Sequence, residues 1–208
     1  AARIQAEGCN VQNFANDPAA LCKTTAQAIS EGKVIGWFQG RLEWGPRALG
    51  NRSVLYHAKG PGVNQWLNKR LGRTEFMPFA PVTLWEAREQ CYVGIQGAEH
   101  AAEFMTLTFD CTDWMRSHCP AAVHVDGTAR PQLVKREVNP GYYDVLKEYE
   151  KLSGLPCLIN TSFNMHEEPI VCSPQDAIRA FLLGYGDRRE LRSFPARSPA
   201  AQQGDRHA

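Results

Sequence analysis

The chain has 208 residues, a formal net charge of +1 and seven cysteines. Its length suits one domain with a sustained core, its near-neutral charge exerts no bulk pull toward nucleic acid or a membrane, and no apolar run approaches the ~18 residues of a membrane span. An odd cysteine count does not fit a fully paired secreted framework, and no basic region followed by an apolar segment opens the chain, so a soluble protein of a reduced, cytoplasmic compartment is expected.

Residues 1–16 lack a clear period and read as a packed strand, an arm or a linker. Asp17-Pro18 predicts a helix start, with Asp at the cap and Pro in the first turn, and Gly32 can end that helix. Lys33–Phe38 reads as a buried strand feeding the polar stretch Gly40–Ser53. There Gly40, Gly45, Pro46 and Gly50 stand among Arg41, Arg47, Arg52 and Glu43. Arginine presents a planar fork suited to carboxylate or phosphate oxygens, so the stretch is a candidate anion site; the same arginines could instead be solvated or held in local ion pairs. From Arg41 to Arg73 seven basic residues face the single acidic Glu43, a local imbalance that the whole-chain charge hides.

Val54–Tyr56 suits a short strand and Pro61–Leu71 a helix. Arg73–Pro81 is an apolar, proline-rich connection, and Val82–Ala87 reads equally as strand or short helix. Phe104–Phe109 and Ala122–Val125 are predicted strands, the second ended by the Asp126-Gly127-Thr128 turn. His124, just before that turn, could orient a ligand or bond to the turn itself. Tyr142, Val145, Leu146, Tyr149 and Leu152 trace one helix stripe, stopped by Gly154, and Pro156–Ile159 returns as a strand. It runs into Asn160-Thr161-Ser162-Phe163-Asn164, whose amides and hydroxyls could cap the turn or orient a nucleotide. Ser173-Pro174-Gln175-Asp176 starts a helix reaching about Leu183. The strands near 33–38, 104–109, 122–125 and 156–159 are expected in one mixed sheet, with the helices near 142–153 and 174–183 against it. Neither a paired-cysteine zinc motif nor a phosphate-binding Gly-x-x-x-x-Gly-Lys motif occurs, so no metal site is predicted in this chain. Residues 188–208 read as a flexible tail.

Four blocks carry a resemblance: Gly40–Ser53, Phe79-Ala80-Pro81, His124–Gln132, and Asn160–Asn164 followed by Glu168-Pro169-Ile170-Val171. In this order they resemble the C-terminal domain of the O-carbamoyltransferases, the nodulation and antibiotic-tailoring enzymes. The resemblance implies an α+β fold, a twisted mixed sheet with flanking helices similar to the threonylcarbamoyl-adenylate synthase domain, over residues 17–187. It implies ATP-dependent activation of carbamoyl phosphate to carbamoyl adenylate, with Mg2+ accompanying the nucleotide. Transfer to a small-molecule alcohol is implied to fall to an actin-like N-terminal domain in cis or trans. Nucleic acid and membrane are not among the implied partners. By the same resemblance Arg47 and Arg52 are the catalytic phosphate contacts, and Arg41, Glu43, Arg73, His124 and Arg130 bind or orient substrate. Asn160, Ser162 and Asn164 are assigned to the nucleotide.

The family pattern is not kept throughout. Leu71, Thr74 and Met77 stand where lysine, glutamate and arginine are usual, His57-Ala58-Lys59 where Asp-Pro-Arg is usual, and Glu167 where glycine is usual. The alternative reading is therefore a catalytically weakened partner domain that binds a nucleotide or carbamoyl phosphate.

Overall fold

A computed structural model describes residues 11–71 and 78–185. Helix α1 (Pro18–Ser30) begins where the Asp17 carboxylate accepts the Ala20 amide at 2.9 Å, and Gly32, at φ +79°, turns the chain out of it. Strands β1 (Ile35–Phe38) and β2 (Arg52–His57) pair antiparallel, their last rung placing Phe38 opposite Arg52. Residues 39–51 therefore form a long loop at one end of the sheet rather than a tight hairpin. Helix α2 (Val63–Arg70) precedes β3 (Ala80–Leu84), which runs into a 3₁₀ turn at Trp85–Ala87 and α3 (Arg88–Cys91). Residues 82–87 are thus strand first and helical turn second.

Four short elements, α4 (Glu99–Ala102), β4 (Phe109–Asp110), α5 (Asp113–His118) and β5 (Thr128–Ala129), line the connection to β6 (Gln132–Val134). Helix α6 (Pro140–Ser153) is capped by Asn139 and stopped by Gly154 at φ +73°. It leads to β7 (Cys157–Ser162) and α7 (Pro174–Ala180), which a π-helical turn, Phe181–Tyr185, extends. At the start of α7, Ser173 and Asp176 exchange side-chain-to-backbone bonds of 3.2 and 2.8 Å, the reciprocal cap that their spacing predicts.

The five-stranded sheet has the order β1-β2-β7-β3-β6, with β3 and β6 parallel and every other pair antiparallel. Successive residues of a strand face opposite sides, yet Val54 and Leu55, like Leu158 and Ile159, are all fully buried. Both faces are therefore covered. Helices α1 and α6 pack against each other, the Cys22 thiol lying 3.7 Å from the Gly141 carbonyl, and bury Leu21, Ile29, Val145 and Leu146. Each such aliphatic side chain contributes about 1.5–3 kcal/mol by leaving water. The result is an α+β domain, a twisted mixed sheet with flanking helices. Among the described residues no helix is long and apolar enough to cross a membrane.

Two expected sheet members lie elsewhere. The alternation of Phe104–Phe109 is broken at Met105, whose φ of +57° is left-handed, and only Phe109–Asp110 is extended, pairing with β5 in a separate ribbon. Ala122 ends a 3₁₀ turn begun by Pro120, and His124 and Gly127 close a tight turn whose carbonyl-to-amide bond is 2.9 Å. The places beside β7 and at the far edge go to β3 and β6 instead. The proposed tail, 188–208, and the first ten residues of the N-terminal arm lie outside the described residues; Val11 and Phe14 pack on the core.

Glu167 adopts φ +63°, a left-handed conformation that disfavours a side chain, at the position where the resembled family has glycine. A left-handed L-residue costs about 1–2 kcal/mol, whereas glycine adds about 0.4–1 kcal/mol of unfolded-chain entropy to lose. Glu167→Gly is therefore expected to stabilise the domain by about 0.5–1 kcal/mol. Urea unfolding of the two proteins measures it, and a less stable variant would contradict the assignment of strain.

Candidate anion-binding site

The end of the arginine loop, Ala48–Asn51, is irregular backbone whose polar groups are met by side chains. The Ala48 carbonyl accepts from Asn160 at 2.9 Å and the Leu49 carbonyl from Gln132 at 2.7 Å. Glu43 reaches across the loop, one carboxylate oxygen accepting the Leu49 and Asn51 amides, each at 2.9 Å. Ser53 Oγ accepts the Gly50 amide at 3.1 Å, and Gln39 donates to the Gly50 carbonyl at 2.9 Å. Gln39 and Asn51 also bond Asn139, the cap of α6, so the loop is tied to that helix as well as to the sheet. At Gly50, φ is +111° and an added Cβ would stand 2.6 Å from Cε1 of the Tyr142 ring.

The arginines divide by direction. Arg52 is 4% exposed. Its guanidinium donates to the carbonyls of Gln39 (2.6 Å), Asn51 (2.9 Å), Gly40 (3.4 Å) and Cys172 (3.4 Å) and lies 3.7 Å above the Phe38 ring. Burial lowers its pKa, with Glu43 acting in the opposite sense. The expected phosphate contact at Arg52 thus meets a group turned inward and spent on main-chain oxygens. Arg41 and Arg47 are exposed on the loop. Arg130, half-buried just before β6, has its pKa lowered by burial and then by the charge of Arg47, so the two cations lie within electrostatic range of each other. The Arg130 Nε is buried with no hydrogen-bond partner, and no carboxylate of the described residues pairs with either arginine.

His124 stands close enough to Arg130 to feel its charge. Burial lowers the His124 pKa, Asp126 opposes this and Arg130 adds to it, while Nδ1 lies 3.0 Å from Thr128 Oγ1. Asn160 is buried beneath the loop, and Ser162, two residues on, shares its strand face half-buried. Asn164 donates to the carbonyls of Met165 (2.8 Å) and Glu168 (3.0 Å), closing its own turn. Arg73 lies outside the described residues. Structure thus gathers Arg47, Arg130 and His124 at one place, with Arg41 on the same loop, and sets Glu43, Arg52 and Asn160 beneath as supports. Gln39 and Gln132 are supports that sequence reasoning missed; the signal for Gln132 was a lone amide leading the apolar run Leu133-Val134. Among the described residues no group of three His, Cys, Asp or Glu side chains is arranged to hold a metal.

The family described as carbamoyltransferase C-terminus matches residues 26–189. The nodulation protein NolNO of Sinorhizobium fredii is 40% identical over 163 residues, 78% of this chain and 24% of its own length. Nodulation protein U of Rhizobium tropici is 36% identical over 141 residues, 68% of this chain and 24% of its own length. The chain therefore spans about a quarter of the length of these curated relatives. Among solved structures, full-length HypF in a phosphate- and nucleotide-bound form superposes with a TM-score of 0.54 at 17% identity, covering 77% of this chain and 19% of that one. Sua5 of P. abyssi superposes with a TM-score of 0.53 at 14% identity, over 84% and 50% of the two chains. At these identities the superpositions show a shared fold.

Two outcomes follow from the loop's geometry. Gly50→Ala imposes both a left-handed side chain and a clash with Tyr142, and should destabilise the domain by about 2–5 kcal/mol in urea unfolding. Glu43 offers a pH test. Burial holds its carboxyl above the ordinary 4.5, with the Asn51 and Leu49 amides and Arg52 opposing. The folded protein therefore binds this proton more tightly than the unfolded chain, so the stabilisation is full below pH 4.5 and is lost as pH rises through the folded value. Glu43→Gln, which does not titrate, should flatten the decline of stability above pH 4.5; equal slopes in the two proteins would count against the shift.

Proposed function

The chain belongs to the carbamoyltransferase C-terminus family, and we propose that it activates carbamoyl phosphate with ATP to carbamoyl adenylate as part of an O-carbamoyltransferase. The observation that carries this reading is the pair Arg47 and Arg130, within electrostatic range of each other and free of any described carboxylate, with Arg47 standing on a loop whose backbone is fixed by side chains. Two adjacent cations repel, so the arrangement favours a polyanion that neutralises both.

In this reading Arg47 and Arg130 bind the phosphoryl oxygens, Arg41 adds charge from the loop, and Arg52 holds the loop shut. His124, kept mainly neutral near pH 7 by its lowered pKa, orients a substrate group through its ring. Ser162 and Asn164 take the nucleotide, and Arg73, by resemblance, binds substrate. The buried, unpartnered Arg130 Nε fits an incoming oxyanion, and Mg2+ would arrive with the ATP phosphates. Water hydrolyses carbamoyl phosphate, its oxygen ending on the products as the bond between the carbamoyl group and phosphate breaks, to give carbamate and phosphate; the carbamate oxygen then bonds the ATP α-phosphorus as the bond to the pyrophosphate oxygen breaks. The arginines would stabilise negative charge gathering on the phosphoryl oxygens. Transfer of the carbamoyl group to an alcohol we assign to an actin-like domain in cis or trans, and the whole reaction to the cytoplasm, where ATP is supplied.

A second reading, binding without activation, is favoured by one observation. Leu71 is 6% exposed and belongs to the core, at the position where the family pattern has lysine. Incubation with ATP, magnesium and labelled carbamoyl phosphate, with and without an actin-like partner, distinguishes the readings. Carbamoyl adenylate and pyrophosphate support activation, and binding without either product supports the second.

Arg47→Ala and Arg130→Ala should each weaken carbamoyl phosphate binding by about ten- to a hundredfold, the equivalent of a charge-assisted bond of about 1.5–3 kcal/mol, with unfolding temperature held or raised. Arg52→Ala should instead lower stability by about 3 kcal/mol or more, because it strands buried carbonyls. Calorimetric titration beside thermal unfolding separates the two effects; unchanged affinity in both of the first variants would remove the assignment.

A further inference from the structure

We infer that Gln132 and Asn160 are positioning residues for Arg47, a buried amide pair that sets anion affinity without touching the anion. This rests on the anion-site reading above. Asn160 is 1% exposed and Gln132 4%, on neighbouring parts of β7 and β6 with β3 between them. The Asn160 amide nitrogen is shared between Gln132 Oε1 at 2.8 Å and the Ala48 carbonyl at 2.9 Å, and Gln132 Nε2 continues to the Leu49 carbonyl at 2.7 Å. The two side chains form one hydrogen-bonded bridge from the middle of the sheet to the two carbonyls that directly follow Arg47.

That bridge leaves no amide hydrogen of Asn160 for a nucleotide, so its role is exerted through the loop. It is also a poor device for stability alone. Asn160 Oδ1 is buried with no hydrogen-bond partner, a penalty that a pair of apolar side chains of similar volume would not carry. What the amides supply is direction. With Ala48 3% exposed and both following carbonyls fixed, the backbone that carries Arg47 has little freedom to turn away from Arg130. A guanidinium aimed in advance loses less entropy on meeting an oxyanion, which is the general advantage of a preorganised site.

The test is a double-mutant cycle in the 208-residue chain with inorganic phosphate as the probe. Gln132→Met keeps the side-chain length and removes both polar ends. It is expected to weaken phosphate binding by about five- to tenfold in calorimetric titration and to speed amide hydrogen exchange at Leu49 and Asn51. In an Arg47→Ala background the same change should add less than about twofold, because a bridge that acts through Arg47 has nothing left to aim. Gln132→Glu, which keeps the acceptor for Asn160, gives the same cycle should the methionine variant fail to fold. Losses that simply add would overturn the inference, as would unchanged exchange at Leu49 and Asn51. A wild-type chain that binds no phosphate would overturn the anion-site reading itself, and the exchange rates alone would then decide whether the bridge holds the loop.

Discussion

A loop between two sheet strands must find partners for its main-chain polar groups away from the ladder. In Ala48–Asn51 those partners come from Glu43 within the loop, Gln39 and Ser53 at its two ends, Gln132 on β6 and Asn160 on β7. Residues far apart in sequence therefore converge on four consecutive residues. Neither β6 nor β7 can deliver its amide until the sheet order β7-β3-β6 is complete. The loop's shape is consequently a property of the assembled sheet, which explains how an exposed arginine can stand on irregular backbone and still have a fixed base.

Charge is distributed with the same logic. Glu43 and Arg52 are both drawn inward, and each moderates the other's burial; the carboxylate binds amides while the guanidinium binds carbonyls. They are held apart from the outer cations, one Glu43 oxygen by loop amides and the Arg52 guanidinium by main-chain carbonyls. The charge of Arg47, after burial, lowers the pKa of Arg130, and an anion placed between the two cations would relieve their repulsion. A carboxylate there would have made a firmer ion pair and a worse binding site.

Helix boundaries were the most legible part of the sequence because caps are local. Asp17-Pro18 and Ser173–Asp176 announce α1 and α7, and both caps form, while the apolar stripe stopped by Gly154 announces α6. Strand membership was less legible, since it depends on distant partners. The apolar alternation of 104–109 was real but carried a left-handed Met105, and β6 is only three residues long. At the candidate site, the arginine-rich stretch drew attention to the loop but could not tell which side chains face out. The resemblance implies that Arg47, Arg52 and Asn160 belong to one site; only packing distinguishes the exposed Arg47 from Arg52 and Asn160, which keep 4% and 1% of their surface in solvent.

The departures from the family pattern are of two physical kinds. Glu167 occupies a left-handed backbone position, so its penalty falls on folding and leaves the arginine pair untouched. Leu71 is different, since its side chain completes the core at the end of α2, next to the segment 72–77 that separates this helix from β3. A lysine there would have to carry its ammonium out of that core to act on a phosphate. The apolar choice improves packing and removes a cation, whereas the clasp around Ala48–Asn51 is complete. The anion recognition proposed for Arg47 and Arg130 is therefore physically separable from whatever chemistry a lysine at position 71 would have assisted. The two readings of function differ in that second part alone.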